Sequence, residues 1–347
     1  MIYNGLELHG ISEVIPCGDG VRMRRVPKET YDGLNPKAQE MAERNVGAEI
    51  RFVPTGDVKI TLSTLNENEY NPIYVYYGSF QSGWETASYM VTHTPKEFTF
   101  RQSSRLDELA VMSEEGRAPF APVIVRLLLG SAPLVIHKIE GDVRPPRKEE
   151  LPDMKGLFYG SSITHGSLAL LPSLFFSRRT ADILGCDSEN FGFAGSCRVE
   201  GAMADYFASR GDWDFMVLEL GINVKGTMPP EEFRDRVRYM LNTIHGAHPD
   251  KYLFCLDIFT TFSDYYEENH PSRLRTECFR SIVAEEAAAV RSEYVRHFDA
   301  RTVLDTRQML SEDLTHPTTE GVIHIADNLS YYMNPYISRY RAAHGLD

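Results

Sequence analysis

The sequence predicts an α/β protein in two parts: an antiparallel β-sandwich over residues 1–145, a linker at 146–154, and a three-layer α/β/α unit with a parallel sheet over 155–347. Three observations predict it. The first part holds short runs rich in Val, Ile, Tyr and Phe, parted by turn signals, as half-buried antiparallel strands require. Arg144 to Lys155 then packs three prolines and many charges into one stretch. After it, apolar runs alternate with amphipathic ones, the pattern of a parallel sheet covered on both faces. A chain of 347 residues also exceeds what one core usually organises.

In order along the chain, AEIRFV, DVKITLS, PIYVYYG, KEFTF, PVIVRLLLG and PLVIHKI read as strands, with PTG, NENEYNP and GSAP as turns between them. The stretch from Val26 to Ala48 is compatible with a short helix or with loop. The proline-rich break suits a linker or an extended crossing segment. GLFYG then reads as a strand, and LLPSLFFSRRTADILG as a helix closed by Gly185. DFMVLELG and KYLFCLDIF are buried strands. Between them PPEEFRDRVRYMLNTIHGAH starts a helix with proline and acids in its first turn. SRLRTECFRSIVAEEAAAVRSEY is a helix, VRHFDA a strand, and TTEGVIHIADNLSYYMNPYISRY a closing helix.

Bulk properties exclude several functions. A net charge of −13 repels nucleic acid and anionic membranes, so neither is expected as a partner. The five cysteines are widely spaced and form no CxxC pair, which argues against a disulfide framework or zinc site. No apolar run is long enough to span a bilayer, and the opening residues lack the basic and apolar regions of a leader, so a cytoplasmic location is expected. Nothing in the pattern bears on oligomeric state.

The chemistry starts at Gly160-Ser161-Ser162-Ile163-Thr164-His165-Gly166, directly after the first strand of the second part. A residue there faces the ligand crevice at the carboxyl end of a parallel sheet. Five residues separate the glycines and no lysine follows, so a phosphate-binding P-loop fails. GxSxG centred on Ser162 fails at Thr164. GDSxTxG fits except at Ser161. A serine nucleophile needs a base. Asp313-Leu314-Thr315-His316-Pro317 supplies a carboxylate and an imidazole three residues apart, after the last predicted strand. The order Ser, Asp, His and the placement of each at a strand end carry this pairing, because Asp-x-x-His alone recurs by chance. A tetrahedral intermediate also needs donors for its oxyanion. Gly195, in NFGFAGS, and Asn223, in LELGIN, end predicted strands and are the candidates, although a tight-turn glycine and a turn asparagine look the same. His245 and His248 read as solvent-facing helix-end residues. Asp257, Asp264, Glu267 and Glu268 border a loop at one wall of the cleft.

Together these four segments resemble the SGNH hydrolase superfamily, the GDSL-like lipases and acylhydrolases, whose blocks supply Ser, Gly, Asn and His in that order. The resemblance spans Lys155 to the C-terminus. It departs at Ser161, where the family has the aspartate of GDS, and at Val224, where it has the aspartate of GxND. It implies a flavodoxin-like α/β/α domain and a serine esterase needing no metal or organic cofactor. In that reading Ser162, Asp313 and His316 form the triad, and the Ser162 and Gly195 amides with the Asn223 side chain form the oxyanion hole. Some members, certain carbohydrate esterases among them, carry an N-terminal jelly-roll or sandwich. By that analogy the substrate is a short-chain acyl ester, acetyl foremost, of a small molecule or saccharide. Short-chain lipid or thioester hydrolysis is the alternative, and a carbohydrate-binding module with a decayed esterase site is the non-enzymatic one. His165 and Arg198 are candidates for substrate contact. Trp84 is a candidate for sugar stacking or for ordinary packing.

Overall fold

The computed structural model describes residues 1–346. Its first part is a sandwich of two antiparallel sheets. One sheet runs in the order Ile2–Tyr3, Leu6–His9, Glu49–Pro54, Val125–Leu129, Asn71–Tyr77 and Phe80–Gln81, with Val143–Arg144 and Ser88–Val91 added alongside. The other runs Lys96–Phe100, Val58–Thr64, Leu134–Glu140, Gly20–Arg24 and Glu13–Cys17. Their facing side chains, among them Leu8, Ile50, Phe52, Ile60, Leu62, Leu127 and Ile136, form one apolar core. All six strands expected in this part are present. The four strands between Ile2 and Arg24 were not anticipated, nor was the helix Leu106–Gly116.

The second part holds a five-stranded sheet whose described pairings are all parallel. The order is Asp187–Gly192, Lys155–Gly160, Phe215–Glu219, Tyr252–Leu256, Val295–Phe298. The chain steps from the first strand to a neighbour on one side, then crosses to the other, so the first strand marks the topological switch point. Alternate side chains explain the two covered faces. Leu157, Tyr159, Phe191, Met216 and Leu218 pack under the helices Gly201–Ser209, Pro230–Ala247 and Pro271–Ala289. Phe158, Phe215, Val217 and Phe254 pack under Phe176–Ile183 and Thr319–His344. The helix expected from Leu170 begins only at Phe176, because Pro172 opens a separate short turn before it.

The stretch left open between Val26 and Ala48 contains two helices, Lys28–Asp32 and Pro36–Ala42. Val26, Leu34, Ala38 and Met41 pack into the core of the second part rather than that of the sandwich. Polar groups tie the two parts at the edge strand Asp187–Gly192. Arg51 donates bidentately to Asp187 at 2.6 and 2.7 Å and to Glu49 at 2.7 Å. Glu49 also takes Arg126 at 2.9 Å and contacts Arg178. Burial would raise the Asp187 carboxyl, but the Arg51 charge beside it holds it well below the usual carboxylate range. Arg25 donates to the carbonyls of Asn190 and Gly192 at 2.7 and 2.9 Å.

Candidate active site

Three loops at the carboxyl ends of the parallel strands meet here. Ser162 opens the four-residue helix Ser162–His165, two residues beyond Gly160, and is 8 % exposed. His316 sits in the loop before the helix Thr319–His344. That loop folds back on itself: the Ser311 amide donates to the His316 carbonyl at 2.8 Å, and Leu310 bridges to Pro317. Its tip is pinned from outside by the Phe262 amide, which donates to the Leu314 carbonyl at 3.0 Å.

The relay is continuous. His316 Nδ1 donates to Asp313 Oδ2 at 2.5 Å, which leaves Nε2 to accept from Ser162 Oγ at 2.6 Å. Asp313 Oδ1 accepts from the amides of His316 and Thr315, at 2.8 and 2.9 Å, and from Ser311 Oγ at 2.8 Å. Partial burial pushes the Asp313 carboxyl up, but the His316 amide and ring outweigh it and hold the group well below the usual carboxylate range. It therefore stays ionised wherever a histidine base operates.

The expected oxyanion donors lie in the segments that follow the three neighbouring strands of the switch point. Among the described residues the Ser162 and Gly195 amides donate to no protein acceptor. Gly195 has φ +66°, a left-handed conformation that favours glycine, and a Cβ there would meet no atom within 4 Å. Asn223 Oδ1 accepts from the Cys197 amide at 3.1 Å. That bond fixes the side-chain amide and leaves its NH₂ unused.

One residue of this site was not anticipated from the sequence. Glu219 ends the strand Phe215–Glu219 and is 1 % exposed. Its carboxylate accepts from the Ser161 amide at 2.7 Å, from Ser161 Oγ at 2.7 and 2.9 Å, and from Thr164 Oγ1 at 3.0 Å. Burial pushes it up to about 7, against the pull of those donors. Gly160 makes room for it, since a Cβ there would strike Thr164 and the Glu219 carboxylate. Ser161, the departure from GDS, thus faces an acid supplied by the next strand. The signal available was an acid inside the apolar run FMVLEL beside a motif lacking its own. Val224, the other departure, is buried in the apolar core.

The three expected substrate contacts line three different cavities. His165 is buried with both ring nitrogens engaged, Nδ1 with the Gly192 carbonyl at 3.1 Å and Nε2 with Ser131 Oγ at 2.9 Å. Burial and the nearby Arg25 charge push it down to about 3, so it is a neutral tie between the two parts, and it also lines the cavity that borders Gly166. Arg198 is exposed in a separate cavity with Arg236 and Tyr239. Trp84 lies on the sandwich and lines a cavity among residues 75–125 that includes no residue of the relay. Asp257 and Asp264 are also occupied, by His297 and Arg280 respectively. Beside the site, a cavity of about 460 Å³ borders Gly166 and Ala194. The first part contributes Arg44, Pro72 and Ser131 to its wall, and the exposed Leu168 and Leu170 flank it.

A doubly covered parallel sheet with a hydroxyl, an imidazole and a carboxylate in line at its switch point defines a carboxylic ester hydrolase of the SGNH type. Residues 158–322 match the GDSL-like Lipase/Acylhydrolase family. A comparison with curated proteins finds no match. Among solved structures, the salicylyl-acyltransferase SsfX3 from a tetracycline biosynthetic pathway is similar, at 15 % identity and TM-score 0.73, over 96 % of this chain and 95 % of that one. A family two carbohydrate esterase from Cellvibrio japonicus is similar at 12 % identity and TM-score 0.62, over 96 % of each chain. The acetyl xylan esterase Est2A from Butyrivibrio proteoclasticus is similar at 13 % identity and TM-score 0.56, over 97 % of each. These likenesses extend over both parts of the fold.

Proposed function

We propose that the protein removes short acyl groups, acetyl foremost, from carbohydrate esters through an acyl-enzyme on Ser162. The hydrogen-bonded line Ser162–His316–Asp313 carries this reading. His316 Nε2 takes the proton from Ser162 Oγ as the oxygen attacks the acyl carbon, and Asp313 stabilises the imidazolium. The Ser162 and Gly195 amides and the Asn223 side chain receive the oxyanion. His316 then gives its proton to the departing sugar alcohol. In deacylation it takes a proton from water, which attacks the acyl carbon and frees the acid and Ser162.

The saccharide reading draws support from the cavity beside Gly166, whose wall mixes Arg44, Ser131 and Leu168 rather than forming a long apolar channel. The carbohydrate esterases that share the two-part fold point the same way. The test is a rate comparison across p-nitrophenyl esters of rising chain length and acetylated xylo-oligosaccharides. The expected result is preference for acetyl and a higher kcat/KM on the saccharides. Preference for long acyl chains, or no hydrolysis of any sugar acetate, would overturn it.

A further inference from the structure

A cavity of about 770 Å³ opens on the β-sandwich and shares no lining residue with the cavity beside Gly166. Tyr77, Tyr89 and Phe100 form an aromatic wall, while Glu85, Gln102 and Arg105 add polar groups. Trp84 stands at its rim, wholly exposed at 103 %. The indole is held out by an ordered turn. Ser82 Oγ and Thr86 Oγ1 share a hydrogen bond of 2.5 Å, the Thr86 amide donates to the Gly83 carbonyl at 3.1 Å, and the Ser82 amide to the Val75 carbonyl at 2.9 Å. Full exposure of so large an apolar side chain forgoes about 2 kcal/mol of burial, and apolar surface rimmed by polar groups marks ligand grooves.

A second observation concerns Gln102. Its Nε2 donates to the Val123 carbonyl at 2.7 Å, whereas its Oε1 is buried and has no hydrogen-bond partner among the described residues. A buried acceptor left unpaired is costly, and a ligand hydroxyl would satisfy it. An aromatic platform for an apolar ring face beside an acceptor awaiting a hydroxyl is the chemistry of a sugar.

We propose that this cavity is a second, non-catalytic saccharide site, which holds the glycan backbone while an ester on the same chain reaches Ser162. The assignment rests on the saccharide reading above. The strand Asn71–Tyr77 links the two places, with Pro72 in the wall beside Gly166 and Tyr77 in the wall here. Five strand steps separate them by roughly 17 Å.

The chain has two tryptophans, and the other, Trp213, is buried, so fluorescence quenching by a neutral sugar reports Trp84. The full-length Ser162→Ala protein is titrated with xylohexaose and with cellohexaose, by fluorescence and by calorimetry. Saturable binding of either is expected, weakened about tenfold or more by Trp84→Ala and by Gln102→Leu. In the Ser162 enzyme, Gln102→Leu lowers kcat/KM on acetylated oligosaccharide and leaves p-nitrophenyl acetate hydrolysis at the original rate. No saturable signal to millimolar sugar, or binding untouched by both substitutions, overturns the site. The two readings fail separately: an enzyme that ignores sugar acetates while Trp84 still binds oligosaccharide loses the proposed function and keeps the site.

Discussion

A serine hydroxyl attacks an ester only if its proton has somewhere to go, and Ser162 Oγ has one acceptor in place, His316 Nε2 at 2.6 Å. Ser162→Ala and His316→Ala are each expected to lower kcat on p-nitrophenyl acetate by roughly 10⁴-fold or more without altering the circular dichroism spectrum. Asp313, held well below the usual carboxylate range, keeps its charge as pH drops, so the acid limb of the rate profile does not come from its protonation. Asn223→Ala removes one oxyanion donor and should cost roughly 10²–10³ in kcat with little change in KM; a change confined to KM would assign Asn223 to substrate binding instead. Ser162, His316 and Asp313 were legible because each sits in a short contiguous pattern at a strand end. His165 was not, since its partners Gly192 and Ser131 come from other segments. Glu219 was missed for the same reason: its meaning depends on a contact with Ser161, 58 residues away.

At the scale of the element, the turn that presents Ser162 is held by a carboxyl from the adjacent strand, and its proton affinity makes the turn sensitive to pH. Burial raises Glu219 to about 7, whereas the unfolded chain titrates near 4.3. A raised folded value means the native state holds the proton better. Its contribution to stability is complete below about pH 4.3 and is lost as pH climbs through about 7. Thermal melts from about pH 5 to about pH 8 should therefore show a downward slope that Glu219→Gln flattens; equal slopes in both proteins would remove the group from this role. Ser161→Asp restores the family's acid but sets it against Glu219, and an uncompensated buried charge costs about 3–5 kcal/mol. The double change with Glu219→Gln should recover most of that loss in urea titrations. Other elements were read with uneven success for physical reasons. The central parallel strands Phe215–Glu219 and Tyr252–Leu256 were legible because burial on both faces makes them nearly continuous apolar runs, whereas Asp187–Gly192, equally buried, reads DSENFG and carries no such run. The strands before Arg24 escaped because they are two to five residues long and include charged and turn residues such as Glu13 and Pro16.

Across the whole molecule, the sandwich serves as the cover of the parallel sheet's open edge. The strand Asp187–Gly192 is terminal in the sheet order, and an uncovered edge strand invites pairing with other chains. The first part blunts it with Arg25 on the Asn190 and Gly192 carbonyls and His9 on the Ser188 carbonyl at 2.8 Å. Val26, Leu34, Ala38 and Met41 complete the second part's core. Arg51, wholly buried, neutralises Glu49 and Asp187 across the junction. Arg51→Ala leaves both carboxylates buried without that partner, and breaking such a pair costs about 3–5 kcal/mol. Urea unfolding should show that loss as a lower midpoint, with sandwich and catalytic unit still melting together. A fragment of residues 155–347 keeps every residue of the relay, yet it uncovers the edge strand and strips five apolar side chains, Ala42 among them, from the core. It is expected to be aggregated, or compact without near-ultraviolet circular dichroism. A monomeric, cooperatively melting, active fragment would show instead that the sandwich is dispensable, and that the buried charges at the junction set the position of the two parts rather than their stability.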